Sequence, residues 1–509
     1  MSTPVVFVIC SAVLSACFGE RRPFTNRMAQ SGTSYLARAA RQPVRWQPWG
    51  RDVFALAAKL NRPVLLYVGS DACHWCDESD RAIYADPEIG ALINTYFVPV
   101  RVDRDERPDV AQRYQSAVEH LAGLRGWPLT VFLTADGSAF FGGTYFPADD
   151  PVTGRGLKQL LPEVAKSYRD QRQSIEQQAA LVRQLMISGG GEARATLRPA
   201  LVEDGMASVR RELDDDMRSR AARGSVMHAE AVALLFAGDS LERASARDAL
   251  ELMLDTTAGI IGEDPPRLVS AALATTLAKA WAVTGAPRYR EIGRDVVRRL
   301  ADDLPNDVMF ADQEAFLIEH LLIGAGTFGE AAAAKRARAA LDALLRRNYA
   351  HGWGVRHAIA STPPGLLQDQ LQVAAACLAA HRFSDDSHYL DVAVDLVGLV
   401  EQVFGDSLGG YYDLAATSPG GPEGTEGRDG VGTASSPLGD RTKHVFDDVL
   451  PGPNAQAALL FARLAQVIGD PSYRRRARTT LESFAGAMSG AGVRSTTFLA
   501  AARETLQLP

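Results

Sequence analysis

Residues 63–80, PVLLYVGSDACHWCDESD, constrain the fold more than any other stretch. After Pro63 comes a short apolar run, Val64 to Val68, rich in β-branched and aromatic side chains, which reads as a buried strand. Gly69, Ser70 and Asp71 break the run, and Asp71 is placed to cap a helix beginning near Cys73. Cys73-His74-Trp75-Cys76 therefore falls at a strand-to-helix junction. There the first cysteine meets free helix-terminal N–H groups and the positive end of the dipole, which favour a thiolate. A protonated His74 acts in the same direction.

A CxxC pair alone is not specific, and structural zinc is its usual competitor. Zinc needs a second ligand pair, and none follows at finger-like spacing: Cys10 and Cys17 lie in an apolar leader, and Cys377 stands alone in a helical region. A c-type haem needs histidine after the second cysteine, where this chain has Asp77. A redox dithiol is favoured, with zinc and a chemically idle pair as the alternatives.

Further strands support one fold class. Residues 96–102 (YFVPVRV) and 131–133 (VFL) read as strands, followed by an Asp136-Gly137 turn and Phe140-Phe141. Trp127-Pro128 stands just before the third strand. In thioredoxin-like folds a cis-proline here faces the CxxC and shapes the peptide-binding surface. A proline opening a strand is also tolerated simply because no ladder donor is needed there. With CxxC upstream, the cis form is expected.

PVRWQPWG (43–50), CHWC (73–76), VDRDERPD (102–109) and GWPLTVFLTADG with FFGGTYFP (126–147) together resemble the thioredoxin-like domain of the spermatogenesis-associated protein 20 family. The resemblance covers residues 31–150. It implies a second domain, an α/α toroid similar to six-hairpin glycosidases and sugar epimerases. It also places Asp103 and Arg104 at the edge of the redox site. One departure is immediate: the family continues CHWC with His-Val-Met, whereas Asp77-Glu78-Ser79 stand here.

The rest of the chain fits that division. With 509 residues, 46% hydrophobic and 23% charged, it has room for two to four domains. A net charge of −7 gives no reason to expect nucleic acid, and five cysteines are too few for a disulfide-stapled scaffold. The apolar run 5–18 is too short for an ordinary membrane span. No basic residue precedes it and Arg21, Arg22 and Arg27 follow, the wrong polarity for export, so a cytoplasmic protein is expected. The alternatives are export with lipid anchoring at Cys17, whose Leu14-Ser15-Ala16-Cys17 setting resembles a lipoprotein box, and a true start at Met28. Trp46 and Trp49 read as packing residues.

Residues 162–186 read as one long polar helix, with a linker at Gly189–Gly191. Beyond it a motif repeats at 278–300, 376–400 and 461–484: apolar helix, short turn, tyrosine (Tyr289, Tyr389, Tyr473), amphipathic helix. Each copy is an αα-hairpin, and hairpins sharing an inner face make a solenoid or a closed toroid. The resemblance selects the toroid. The stretch 196–270 matches poorly, so the toroid is expected to be shortened, and the Gly/Pro/Ser-rich insertion 415–443 is expected to be mobile. The family's His-Phe-Glu-Lys-Met stretch is missing, so glycoside hydrolysis by the loop acids Asp369, Asp413, Asp447 and Asp448 is not expected.

The expected architecture is an α/β thioredoxin-like domain followed by an all-α toroid. Its parts are a leader or mis-assigned start (1–30), the thioredoxin-like domain (31–150), a helix and linker (151–195) and the toroid (196–509). Cys73 is the attacking sulfur and Cys76 the resolving one, with His74 and Pro128 completing the reactive set. Trp75, Trp127, Asp103 and Arg104 are expected to contact substrate, and Asp369 and Asp448 to line the toroid cleft. The expected partner is a disulfide-bearing protein or a small thiol, with a carbohydrate at the cleft as a further option. No cofactor, metal, nucleic acid or integral membrane span is expected, and the chain is expected to be a monomer. A non-catalytic carbohydrate- or protein-binding protein is the alternative.

Overall fold

The computed structural model describes residues 24–507 except 151–154, 189–193, 220–224, 261–266, 305–309, 362–363, 417–437 and 439. The leader, the Gly189–Gly191 linker and most of the 415–443 insertion thus lie outside the described residues. Asn26 and Arg27, upstream of Met28, are bonded into the fold through Ala39, Val44 and Trp46.

Helices α1 (Ser34–Arg38) and α2 (Arg51–Leu60) lead into strand β1 (Val64–Gly69). Then follow α3 (His74–Ala82), α4 (Pro87–Tyr96), β2 (Val98–Asp103), α5 (Pro108–Ala122), β3 (Leu129–Leu133) and β4 (Ala139–Gly143). The sheet order is β2-β1-β3-β4, with β1 parallel to β2 and antiparallel to β3. A parallel pair needs a crossover, which α3 and α4 provide. Every residue of β1, β2 and β3 is buried, which is why their apolar runs are continuous and not alternating.

The single helix expected over 162–186 is two, α6 (Leu157–Asp170) and α7 (Arg172–Ser188). Gln171, at φ −124° and ψ 28°, leaves the helical region and separates them.

The second unit runs through α8 (Pro199–Ser219), α9 (Val226–Leu235), α10 (Ser240–Ile260), α11 (Arg267–Thr284), α12 (Pro287–Asp302), α13 (Ala311–Phe328) and α14 (Ala331–Asn348). A small hairpin follows, β5 (Tyr349–Ala350) with β6 (Gly354–Val355). It ends with α15 (Leu367–Ser384), α16 (Ser387–Val403), α17 (Pro453–Ile468), α18 (Pro471–Phe484) and α19 (Thr496–Leu506). Helices α9, α11, α13, α15, α17 and α19 each touch the next, and α19 touches α9, closing a ring. Helices α10, α12, α14, α16 and α18 return along the outside, and α8 takes the remaining outer place against α19 and α10.

The described residues thus close a complete ring, with six inner helices and six outer ones. The poorly matched stretch supplies α8, α9 and α10. Because α8 partners α19 from the other end of the unit, no local hairpin pattern marks it. Inner helices such as α15 are buried nearly all round, the environment an apolar, alanine-rich sequence requires.

The two units pack together. The Arg113 guanidinium makes two bonds of 2.9 Å to Asp440, and Arg183 adds one of 3.0 Å. Leu438 packs on the core of the thioredoxin-like sheet. The described end of the insertion is thus docked rather than mobile, because two arginines hold its one carboxylate. Among the described residues no helix is long and apolar enough to cross a membrane.

Candidate active site

Cys73 and Cys76 are joined as a disulfide, with Cα atoms 5.2 Å apart. The cap of α3 is Cys73 itself and not Asp71: its sulfur accepts the Cys76 N–H at 3.2 Å. Asp71 is drawn away to Arg38, 3.2 Å distant, and to the Ser34 hydroxyl. Cys73 is half-buried and Cys76 fully buried, the asymmetry that separates an attacking from a resolving sulfur. His74 is exposed, and Trp75 keeps 53% of its surface open with its ring 5.2 Å from Tyr145.

The Trp127–Pro128 bond is cis, as expected with the CxxC upstream. Pro128 precedes Leu129, which pairs with Val68 at the end of β1 that leads to Cys73. Asp103 closes β2 opposite Gly69, and the Arg104 N–H donates to the Gly69 carbonyl at 2.7 Å. The Arg104 guanidinium lies 5.3 Å over the Trp127 ring. Asp103, Arg104, Trp127 and Pro128 therefore gather at the sheet end that carries the dithiol. Burial, reinforced by the Asp105 charge, pushes the Asp103 carboxyl up to about 7.

A buried charge cluster supports α3 from below. Arg101 has no solvent exposure and makes bonds of 2.6 and 2.7 Å to the two Asp80 oxygens. Its guanidinium sits 4.2 Å from the Tyr35 ring and 5.2 Å from Tyr67. Arg38 of α1 reaches Asp77 at 2.8 Å and Asp80 at 3.4 Å, tying α1 to α3. The sequence reading missed this cluster, although an arginine inside the apolar strand PVRVD was its signal.

Asp369 and Asp448 do not share an open cleft. Both lie where the ring meets the thioredoxin-like unit. Asp369, wholly buried in the first turn of α15, accepts the Leu366 N–H at 2.7 Å and His357 Nδ1–H at 2.8 Å. His357 Nε2–H donates to the Asp105 carbonyl at 3.0 Å, so both ring nitrogens face acceptors. Burial pulls the imidazole pKa down, but the Asp369 and Asp312 carboxylates outweigh it and hold it near 10. Asp312, His357 and Asp369 lie close enough to be considered as metal ligands. The 2.8 Å contact and the prior use of the other Asp369 oxygen fit a shared proton better than an ion. Asp448 is half-buried; burial raises its pKa against the pull of Arg104 and Arg494. Asp447 is spent on the N–H groups of Gly452 and Thr497, each at 2.8 Å, and Asp413 on Thr442 and His444.

A different set of ionisable groups lines the bore of the ring. A cavity of about 460 Å³ there is bordered by Glu230, Lys279, Glu319, His320, Arg463 and Glu504. Glu319 accepts from Gln372 at 2.6 Å, while Glu230 Oε1, 3.6 Å from His320 Nε2, has no hydrogen-bond partner among the described residues. Burial and then the Glu319 charge push Glu230 up to about 8, and burial takes His320 down to about 3. These residues also escaped the sequence reading; Glu319-His320 interrupting the apolar run AFLIEHLLI was the available cue.

A buried four-stranded sheet, a dithiol capping the helix after β1 and a cis-proline before β3 define a thioredoxin-like domain. Residues 25–186 match the family model Thioredox_DsbH, described as a protein of unknown function, DUF255. The chain is 39% identical over 150 residues to spermatogenesis-associated protein 20 of Rattus norvegicus, and 38% identical over 150 residues to that of Homo sapiens. Each match takes in 30% of this chain and spans only 19% of the relative's length. Among solved structures, an unsaturated glucuronyl hydrolase specific for heparin superposes with a TM-score of 0.45 at 10% identity, covering 61% of this chain and 98% of that one. The GH76A α-1,6-mannanase of Salegentibacter sp. HEL1_6 gives 0.33 at 12%, covering 43% and 61%. The toroid is assigned here from this chain's own ring of helix contacts.

Proposed function

We propose that the protein is a thiol–disulfide oxidoreductase, or a sensor using the same exchange, with Cys73–Cys76 as its working pair. One observation carries the reading: a half-buried cysteine caps α3, and its disulfide partner lies buried one turn on. The Cys73 thiolate attacks a substrate disulfide, giving a mixed disulfide and releasing one substrate thiolate. Cys76 then attacks Cys73, releases the second and leaves the intramolecular bond. Exposed Trp75 beside Tyr145 offers an aromatic surface next to Cys73 for a disulfide-bearing protein or small thiol. The charge pattern around the apolar leader supports a cytoplasmic setting.

The test is to trap the first intermediate with Cys76→Ser. A mixed disulfide through Cys73 that dithiothreitol reverses is the expected result. Failure of the reduced variant to form one with any peptide disulfide would reject the reading.

A second reading, binding of a carbohydrate or another polar ligand in the toroid, is supported by the bore and by a buried Glu230 oxygen that stands 3.6 Å from His320 Nε2, beyond hydrogen-bond reach. Calorimetric titration with neutral and acidic oligosaccharides tests it. Binding that Glu230→Gln weakens is expected, and no heat with any of them speaks against it.

A further inference from the structure

We propose that Tyr35 is a positioning residue for the resolving step, its phenol donating a hydrogen bond to the Cys76 sulfur when that sulfur is a thiolate. The inference rests on the thiol–disulfide reading above and concerns the sulfur that solvent does not reach.

Cys76 is fully buried. Once Cys73 is bound to a substrate sulfur, Cys76 must become an anion inside the protein, and burial opposes that. Its own N–H is already committed to the carbonyl and sulfur of Cys73. Another donor is needed. The geometry at the end of β1 provides one. A β-carbon added at Gly69 would lie 2.8 Å from the Cys76 sulfur and would also strike the Tyr35 hydroxyl. The missing side chain therefore leaves phenol and sulfur bordering the same small space.

Tyr35 is wholly buried, and among the described residues its hydroxyl has only a loose contact with the Tyr67 hydroxyl, neither group making a hydrogen bond of good geometry. A buried hydroxyl so poorly satisfied is unfavourable and can turn to a better acceptor. In the disulfide form the neighbouring sulfur carries no charge to receive it. In the thiolate form it does. The phenol is also held in place: the Arg101 guanidinium lies 4.2 Å over its ring, and Arg38 joins α1 to α3 through Asp77 at 2.8 Å.

Burial raises the Tyr35 pKa above the ordinary phenol value, so this group keeps its proton and acts as donor, not base. The step then balances as follows. In the mixed disulfide the Cys76 thiol gives up its proton, and the Tyr35 O–H bonds the resulting thiolate. The thiolate attacks the Cys73 sulfur, the bond from Cys73 to the substrate breaks, and the departing substrate sulfur, which lies at the open side of the site, takes up in net the proton that Cys76 lost. Two electrons pass from the dithiol to the substrate disulfide, and Tyr35 ends with the proton it began with.

The decisive experiment titrates Cys76 by thiolate absorbance in the Cys73→Ser protein, with and without Tyr35→Phe. Loss of a hydrogen bond to a charged group should raise the Cys76 pKa by about one to two units. In the intact dithiol protein, Tyr35→Phe should slow release of substrate from the Cys73 mixed disulfide about ten- to a hundredfold near neutrality, with the rate recovering at higher pH. A purely structural loss would lower the rate at every pH alike. If Tyr35→Phe folds poorly, 3-fluorotyrosine at position 35, a stronger donor of the same shape, should lower the Cys76 pKa. An unchanged Cys76 pKa in both proteins overturns the proposal. If Cys73 attacks no disulfide at all, the functional reading fails, yet the Cys76 titration still decides the hydrogen bond.

Discussion

The sheet end of the thioredoxin-like unit and the mouth of the helical ring meet each other, and both collect helix N-termini and acids. They use them differently. At the sheet end, the first turn of α3 is capped by a sulfur that is half open to solvent, and the acids nearby are tied to Arg38 and Arg101. At the ring mouth the acids are spent on the backbone: Asp369 on Leu366, Asp447 on Gly452 and Thr497. An acid at a helix start signals chemistry only where the backbone N–H groups have not already claimed it.

The comparison can be broken most forcefully under α3. Arg101→Ala takes the bidentate partner from Asp80, leaving it the longer Arg38 contact and the Gln42 amide in a low-dielectric cluster, and should cost about 3–5 kcal/mol in urea unfolding. A loss below about 1 kcal/mol would mean that the cluster does not hold α3. At the ring mouth, Asp447→Ala leaves two backbone N–H groups unpaired and should cost about 1–3 kcal/mol. The same change should leave the reaction of the dithiol with a small disulfide as it was, since Asp447 is spent on the ring.

That contrast also explains what the sequence made legible. Local grammar carried much of the first unit: the apolar strand at 64–68 and the Asp136-Gly137 turn were legible because their causes lie within a few residues, while the cis Trp127-Pro128 bond needed the CxxC upstream to be read. The ring was legible as hairpins at Tyr289, Tyr389 and Tyr473, but not as a closed circle. Its closure depends on α19 meeting α9, helices from opposite ends of the unit, and no periodicity records such a contact. Site residues divide the same way. Cys73 and Cys76 are adjacent in sequence, whereas His357, which joins Asp369 to the Asp105 carbonyl, acquires meaning only when the two units pack.

A smaller effect follows from His357. Its folded pKa near 10 lies above the unfolded value of about 6.5, so the folded state binds the proton more tightly. The stability it contributes is whole below about pH 6.5 and disappears as pH rises towards about 10. His357→Gln should therefore destabilise the protein most near pH 6 and least near pH 10, as read by urea unfolding across that range. A difference that grows with pH would show the imidazole to be neutral. Smallest of all, Asp369→Asn and Asp448→Asn should leave thiol exchange unchanged, measured as reduction of an aromatic disulfide.

The most direct test of the central claim is the rate at which the reduced protein attacks a small aromatic disulfide, followed against pH. The account predicts a fast phase that Cys73→Ser abolishes, with an apparent pKa below the ordinary thiol value of about 8.5 because Cys73 caps α3. A reaction no faster than that of the denatured chain's thiols, titrating at the ordinary value, would contradict it.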